Sequence, residues 1–270
     1  MLAKKFRGGI AMSEERIIKE ELHGTVRSAK RLCRANVRLA KARYKRERCE
    51  LLIKQGKPLP KDPPKRSILN EIGNSLTHGV GIIFAVIAFA LMLYSSKTAG
   101  EIAGASIYFG GLLWMFTASC LYHALPHGTA AKRLFRRFDY TGIYLLIGAT
   151  FAPSLLNVVG GTFGTVFFII QWAVIAFGIV LVGVFGPARF RFIHIPLYVI
   201  LGWSALMLMP WLIGKSFALA MWILAGGVIY TLGIIPYMIK MKVAHFIWHF
   251  FVLAGAAVQW VGIYIHIYLA

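Results

Sequence analysis

Carboxylates are scarce in this chain. Its 270 residues include 10 Asp+Glu against 30 Lys+Arg, and beyond residue 70 only Glu71, Glu101 and Asp139 remain. A soluble domain of this length would carry about 25% charged residues, whereas 15% are charged here. Cysteine is also rare. Cys33, Cys49 and Cys120 occur with no CxxC between them, which excludes a disulfide framework and argues against thiolate metal sites. No HExxH occurs, so the glutamate base of the helical zinc proteases is missing. The first long apolar run starts near residue 76, too late for a cleavable leader, and none is expected.

What the chain has in quantity is apolar sequence. Hydrophobic residues make up 58%, and the mean hydropathy is +0.67. Charge is segregated: residues 1–70 hold 20 of the basic and seven of the acidic residues, a net +13. This divides the chain into a basic extension with a Pro-rich linker, residues 1–65, and an apolar body, residues 66–270. Residues 13–56 read as a polar helix that starts at Ser13, with Glu14 and Glu15 suited to its N-terminus. KPLPKDPP at 57–64 ends it. Such an extension is either a solvated basic helix or an arm resting on an anionic surface. Lipid headgroups are expected in preference to nucleic acid, because the arm is tethered to a membrane body.

The body divides into apolar runs of about 20 residues, the length that crosses a bilayer. They fall near 74–95, 102–123, 138–158, 162–184, 192–213, 217–238 and 245–267. An all-α bundle of seven transmembrane helices is therefore expected. Glycines recur within the runs (110, 111, 142, 148, 178, 226 and 227), where they let helices approach. Pro153 and Pro210 should kink or end their spans. Basic residues mark alternate loops: Lys132, Arg133, Arg136 and Arg137, then Arg189 and Arg191, then Lys240 and Lys242. The opposite side has only Lys97 and Lys215. This alternation predicts seven crossings, with the N-terminus cytoplasmic and the C-terminus outside.

Ionisable groups inside a membrane are costly and mark function. His245 and His249, at i and i+4, share one helix face and can reach one metal ion. His123 ends the second run and Asp139 opens the third, so the alternation places all four residues near the cytoplasmic face. The basic loops fix that topology independently of these residues, and their coincidence points to a metal site. Three imidazoles with an open fourth position suit Zn2+. Asp139 could orient a water there, and Ser119, one turn before His123, could donate to an oxyanion. Alternatively, Asp139 pairs with Arg136 or Arg137, His123 is interfacial, and Ser119 simply packs between helices. Glu71, Asn74 and His78 share the face that begins the first run, either supporting the site from outside the ligand set or capping the helix. His23, His127, His194 and His266 read as interfacial or solvated.

Glu71-x-x-Asn74-x-x-x-His78, Ser119-x-x-x-His123, Phe138-Asp139 and His245-x-x-x-His249 together resemble the hemolysin III family. That family lies within the progestin and adipoQ receptor group and the wider CREST superfamily of membrane hydrolases. The resemblance covers residues 66–270 and leaves the extension outside. It implies a seven-helix body and an intramembrane zinc held by His123, His245 and His249, with Asp139 holding a water beside it. The leading functional expectation is a ceramidase-like, zinc-dependent hydrolase of lipid amides or esters, with membrane lipids as substrate and partners. A receptor or membrane-state sensor with structural zinc is one alternative. A membrane-perturbing, cytolytic protein is another. A bacterial inner-membrane location is expected.

Overall fold

The computed structural model describes residues 2–54, 63–239 and 243–270. The chain forms two compact units, Met1–Lys61 and Asp62–Ala270. Most of the linker, and Lys240 and Lys242 of the orientation signal, lie outside the described residues.

The first unit is one long helix, α1 (Leu2–Lys54). It starts well before Ser13, because nothing in residues 2–12 is strong enough to break it, the Gly8-Gly9 pair included. From Arg27 onward its side chains are almost all exposed, with i, i+4 pairs such as Arg46–Glu50 at 3.0 Å along its surface.

The second unit is a bundle of apolar helices. Its elements are α2 (Ile68–Ser95), α3 (Ala99–Ala124), α4 (Ala130–Ser154), α5 (Gly161–Phe185), α6 (Arg191–Trp203), α7 (Met209–Lys215), α8 (Phe217–Leu232), α9 (Ile235–Met238) and α10 (Ala244–Ile263). Local chemistry sets several of the starts. Ser67, Thr98, Thr129 and Ser216 each accept a hydrogen bond from a backbone N–H of the first turn. Thr98 and Glu101 complete a reciprocal capping box on α3.

Among the described residues six segments are long and apolar enough to cross a membrane: Ile68–Ser95, Ala99–Ala124, Ala130–Val159, Gly161–Phe185, Phe192–Lys215 and Ala244–Tyr268. Pro153 does not end its span. The helix continues through a π turn at Leu155–Val159, and Asn157 Nδ2 donates to the Pro153 carbonyl at 2.9 Å. The span expected at 192–213 is built in three pieces, α6, a 3-10 segment (Ser204–Leu208) and α7, with Pro210 in the first turn of α7. The run at 217–238 is a shorter apolar helix, α8, followed by a turn at Gly233 and by α9.

In the bundle α3 packs between α2 and α4, α10 packs on α8 and α2, and α5 and α6 flank α4. Gly111 permits a close approach of α3 to α4, because a Cβ there would run into Ala149 of α4. Gly110 and Gly227 face open space and serve no such contact. The outward faces carry exposed Ile, Leu, Val and Phe, including Ile83, Val86, Ile169 and Val180. That is the expected distribution for a bundle solvated by lipid. The order of helices gathers one end of α2, α3, α4 and α10 around a common point.

Candidate metal centre

Three histidines meet at that point. His123 is brought by the last turn of α3, and His245 and His249 by the first turns of α10. Their nearest ring nitrogens all lie within 4.8 Å of one another. His245 Nε2 is 3.0 Å from His123 Nε2 and 3.2 Å from His249 Nε2. The three rings form a nearly equilateral triangle, with centroids 4.8–4.9 Å apart. His123 and His249 are buried and His245 is partly buried.

The other ring nitrogens show what the cluster is for. His123 Nδ1 donates to Glu71 Oε2 at 2.5 Å, and the Asn74 side-chain amide lies 3.3 Å from the same nitrogen. His249 Nδ1 donates to the Asn74 carbonyl at 3.2 Å. A neutral imidazole that donates from Nδ1 carries a lone pair on Nε2. The Nε2 atoms of His123 and His249 are therefore both acceptors. A proton on His245 Nε2 could satisfy only one of them, so hydrogen bonding alone leaves the triangle short of donors. A cation at its centre satisfies all three. Nitrogens on one tetrahedral ion at about 2.0–2.1 Å stand about 3.3 Å apart, close to the two separations from His245. The buried trio could hold a metal ion.

Around it stand the remaining candidates. Glu71 Oε1 also pairs with Lys132 Nζ at 3.2 Å. His78, fully buried, stacks on the His249 ring at 3.9 Å and 19°. Neither of its ring nitrogens has a partner of ordinary geometry among the described residues. Ser119 is fully buried and its Oγ lacks such a partner too. Asp139 is buried beside Ser119 and close to His123, but outside the group of atoms that could share an ion. Among the described residues neither neighbouring arginine makes a direct ion pair with it: Arg136 lies over the Tyr140 ring at 5.9 Å and Arg137 donates to the Gly183 carbonyl at 2.9 Å.

Lys132 is the residue that the sequence pattern did not single out. It is 1% exposed, and its ammonium also donates to the Leu125 carbonyl at 2.9 Å and the His123 carbonyl at 3.4 Å. It thereby closes the C-terminal end of α3 and braces Glu71. One signal was available: a lysine in the first turn of a helix faces the positive end of the helix dipole, so it needs an acceptor from elsewhere. His194 also departs from expectation. It is buried, with Nδ1 2.9 Å from the Tyr144 hydroxyl, rather than interfacial. His23 and His127 are exposed and His266 is half-buried.

An apolar cavity begins one turn beyond the trio. Met115, one turn before Ser119, and Val252, three residues after His249, stand in its wall. At its rim Trp203 Nε1 donates to Thr231 Oγ1 at 3.1 Å, joining α6 to α8.

Fold and site thus define a class: a multi-pass α-helical membrane protein with a buried histidine trio at one end of its bundle. The model of the Haemolysin-III related family matches residues 66–260, and the chain belongs to that family. It is 34% identical to Hemolysin-3 of Bacillus cereus over 200 residues, 71% of this chain and 89% of that one. It is 31% identical to the Hemolysin-3 homolog of Bacillus subtilis (strain 168) over 199 residues, 71% and 91% of the respective chains. The human Monocyte to macrophage differentiation factor is 26% identical over 211 residues, 76% of this chain and 87% of that protein.

Proposed function

We propose that this is a seven-span protein of the bacterial inner membrane whose His123–His245–His249 trio holds a catalytic zinc for hydrolysis of a lipid amide or ester bond. The observation that carries the reading is the set of Nε2 lone pairs aimed at one point, with Glu71 and the Asn74 carbonyl fixing two of the tautomers. Imidazole donors at this spacing suit zinc. The apolar α8 supplies the seventh crossing, giving a cytoplasmic N-terminus and an outside C-terminus. The Bacillus relatives support the location. Residues 1–65 act as a basic arm near anionic headgroups, with no specific nucleic-acid partner, and residues 66–270 form the membrane domain.

Zinc in such a site supplies Lewis acidity for an acyl carbonyl and a water acidified to a pKa of about 7. The chain supplies the rest. Glu71 orients His123 and strengthens it as a donor, Asn74 does the same for His249, and His78 holds the His249 ring by stacking. Asp139, outside the ligand set, takes the proton of the attacking water on a carboxylate oxygen. It returns that proton to the departing amine nitrogen or alcohol oxygen. The buried Ser119 hydroxyl, beside Asp139, donates to the carbonyl oxygen as charge develops on it. The adjoining cavity takes the acyl chain and excludes water from it.

The test is fatty-acid release from acyl-amide and acyl-ester lipids by purified protein, with and without zinc. Asp139→Ala should lower turnover by about 10²–10⁴-fold while zinc content is kept. If the wild type releases no fatty acid from any such lipid, the hydrolase reading fails. A zinc that is still bound by the trio would then be structural, as in a receptor or sensor.

A further inference from the structure

A second concavity opens at the same end of the bundle, on the outer side of α2. It lies between residues 65–68, the first turns of α2 and the end of α3 with its following loop. Its two ends differ in chemistry. At the end of the spans stand Lys65, exposed, Arg66, which donates to the Tyr122 hydroxyl at 3.4 Å, and His127, 2.9 Å from the Pro63 carbonyl. The floor carboxylate, Glu71, is already held by His123 and Lys132 and does not leave the floor net negative. In the other direction Ile68, Ile72 and Leu76 form an i, i+4, i+8 stripe along α2, and they are 78%, 50% and 66% exposed.

Cations at the end of a span and an apolar stripe running down it match one kind of molecule: an amphiphile with an anionic head, standing as a bilayer lipid stands. A free phosphate would use the cations and leave the stripe bare. A zwitterionic lipid would cover the stripe and gain little from the cations. We propose that this groove binds one anionic phospholipid, its phosphate at Lys65 and Arg66 and an acyl chain along Ile72 and Leu76. The site does not depend on the identity of the ion at the histidines or on any hydrolysis.

Native mass spectrometry of the full-length, detergent-purified protein tests this, with dioleoyl phosphatidylglycerol, dioleoyl phosphatidylcholine and inorganic phosphate as probes. The extension is also basic, so each probe is run on the wild type and on a chain carrying Arg31→Gln, Arg34→Gln and Arg38→Gln. One phosphatidylglycerol should bind per chain in both backgrounds, about 30-fold more tightly than phosphatidylcholine, since two cations contribute about 1 kcal/mol each. Lys65→Gln should weaken it about fivefold. Leu76→Gln should weaken it as well, with metal content unchanged in both variants as a check on folding. Equal binding of the two lipids, or loss of binding with the extension arginines, would overturn the proposal. So would an unaffected Lys65→Gln. Displacement of the lipid by inorganic phosphate, with Leu76→Gln indifferent, would overturn it in favour of a free-anion site.

Discussion

His123 shows how much a candidate ligand depends on residues outside the trio. Its Nδ1 donates to Glu71, Glu71 is braced by Lys132, and Lys132 in turn holds the His123 carbonyl. Replacing His123, His245 or His249 by Ala should each lower bound metal from about one ion per chain to almost none, measured by plasma mass spectrometry on purified protein. Glu71→Gln keeps an acceptor but removes the charge. It should weaken metal affinity by about 10–100-fold, read by competition with a chromophoric chelator. Lys132→Met removes the ammonium beside the Glu71 carboxylate and should cost about 1–3 kcal/mol of stability, seen as a lower Tm in detergent. The i, i+4 spacing of His245 and His249 and the shared face of Glu71, Asn74 and His78 were legible because both are local helix geometry. The bracing by Lys132 was not, because its carboxylate lies 61 positions back in the chain and only tertiary packing brings the two together. His194 was missed for the same reason: its partner, Tyr144, is 50 residues away.

Hydropathy located the apolar runs well, since a 20-residue average needs no knowledge of neighbours. It could not see breaks inside them. The three-piece construction of Phe192–Lys215 and the π turn after Pro153 depend on backbone hydrogen bonds that an average erases. Nor could composition tell which glycines matter. Gly111 lies against Ala149, whereas Gly110, its sequence neighbour, faces open space. Gly111→Leu should force α3 off α4 and cost about 1–3 kcal/mol, whereas Gly110→Leu should leave the thermal midpoint nearly unchanged. Thermal unfolding of the two variants in detergent compares them directly. Equal effects would mean that α3 and α4 do not meet along this face.

For the molecule as a whole, the proposed seven crossings put the end of α3 and the start of α10 on the cytoplasmic side. Cysteine accessibility in intact cells checks it, in a background carrying Cys33→Ser, Cys49→Ser and Cys120→Ser. Ala130→Cys and a restored Cys33 should resist a membrane-impermeant thiol reagent, while Lys97→Cys and Thr162→Cys should react. The reverse pattern would invert the orientation. The arrangement of the trio also bears on how the protein is made. Glu71 and Asn74 belong to the first helix of the bundle, His123 to the second, and His245 and His249 to α10, the last helix described. A nascent chain halted before residue 245 has inserted most of its spans yet owns only one of the three histidines. A metal held by all three would therefore bind only after translation of the last helix, and would then fasten the earliest part of the bundle to the latest.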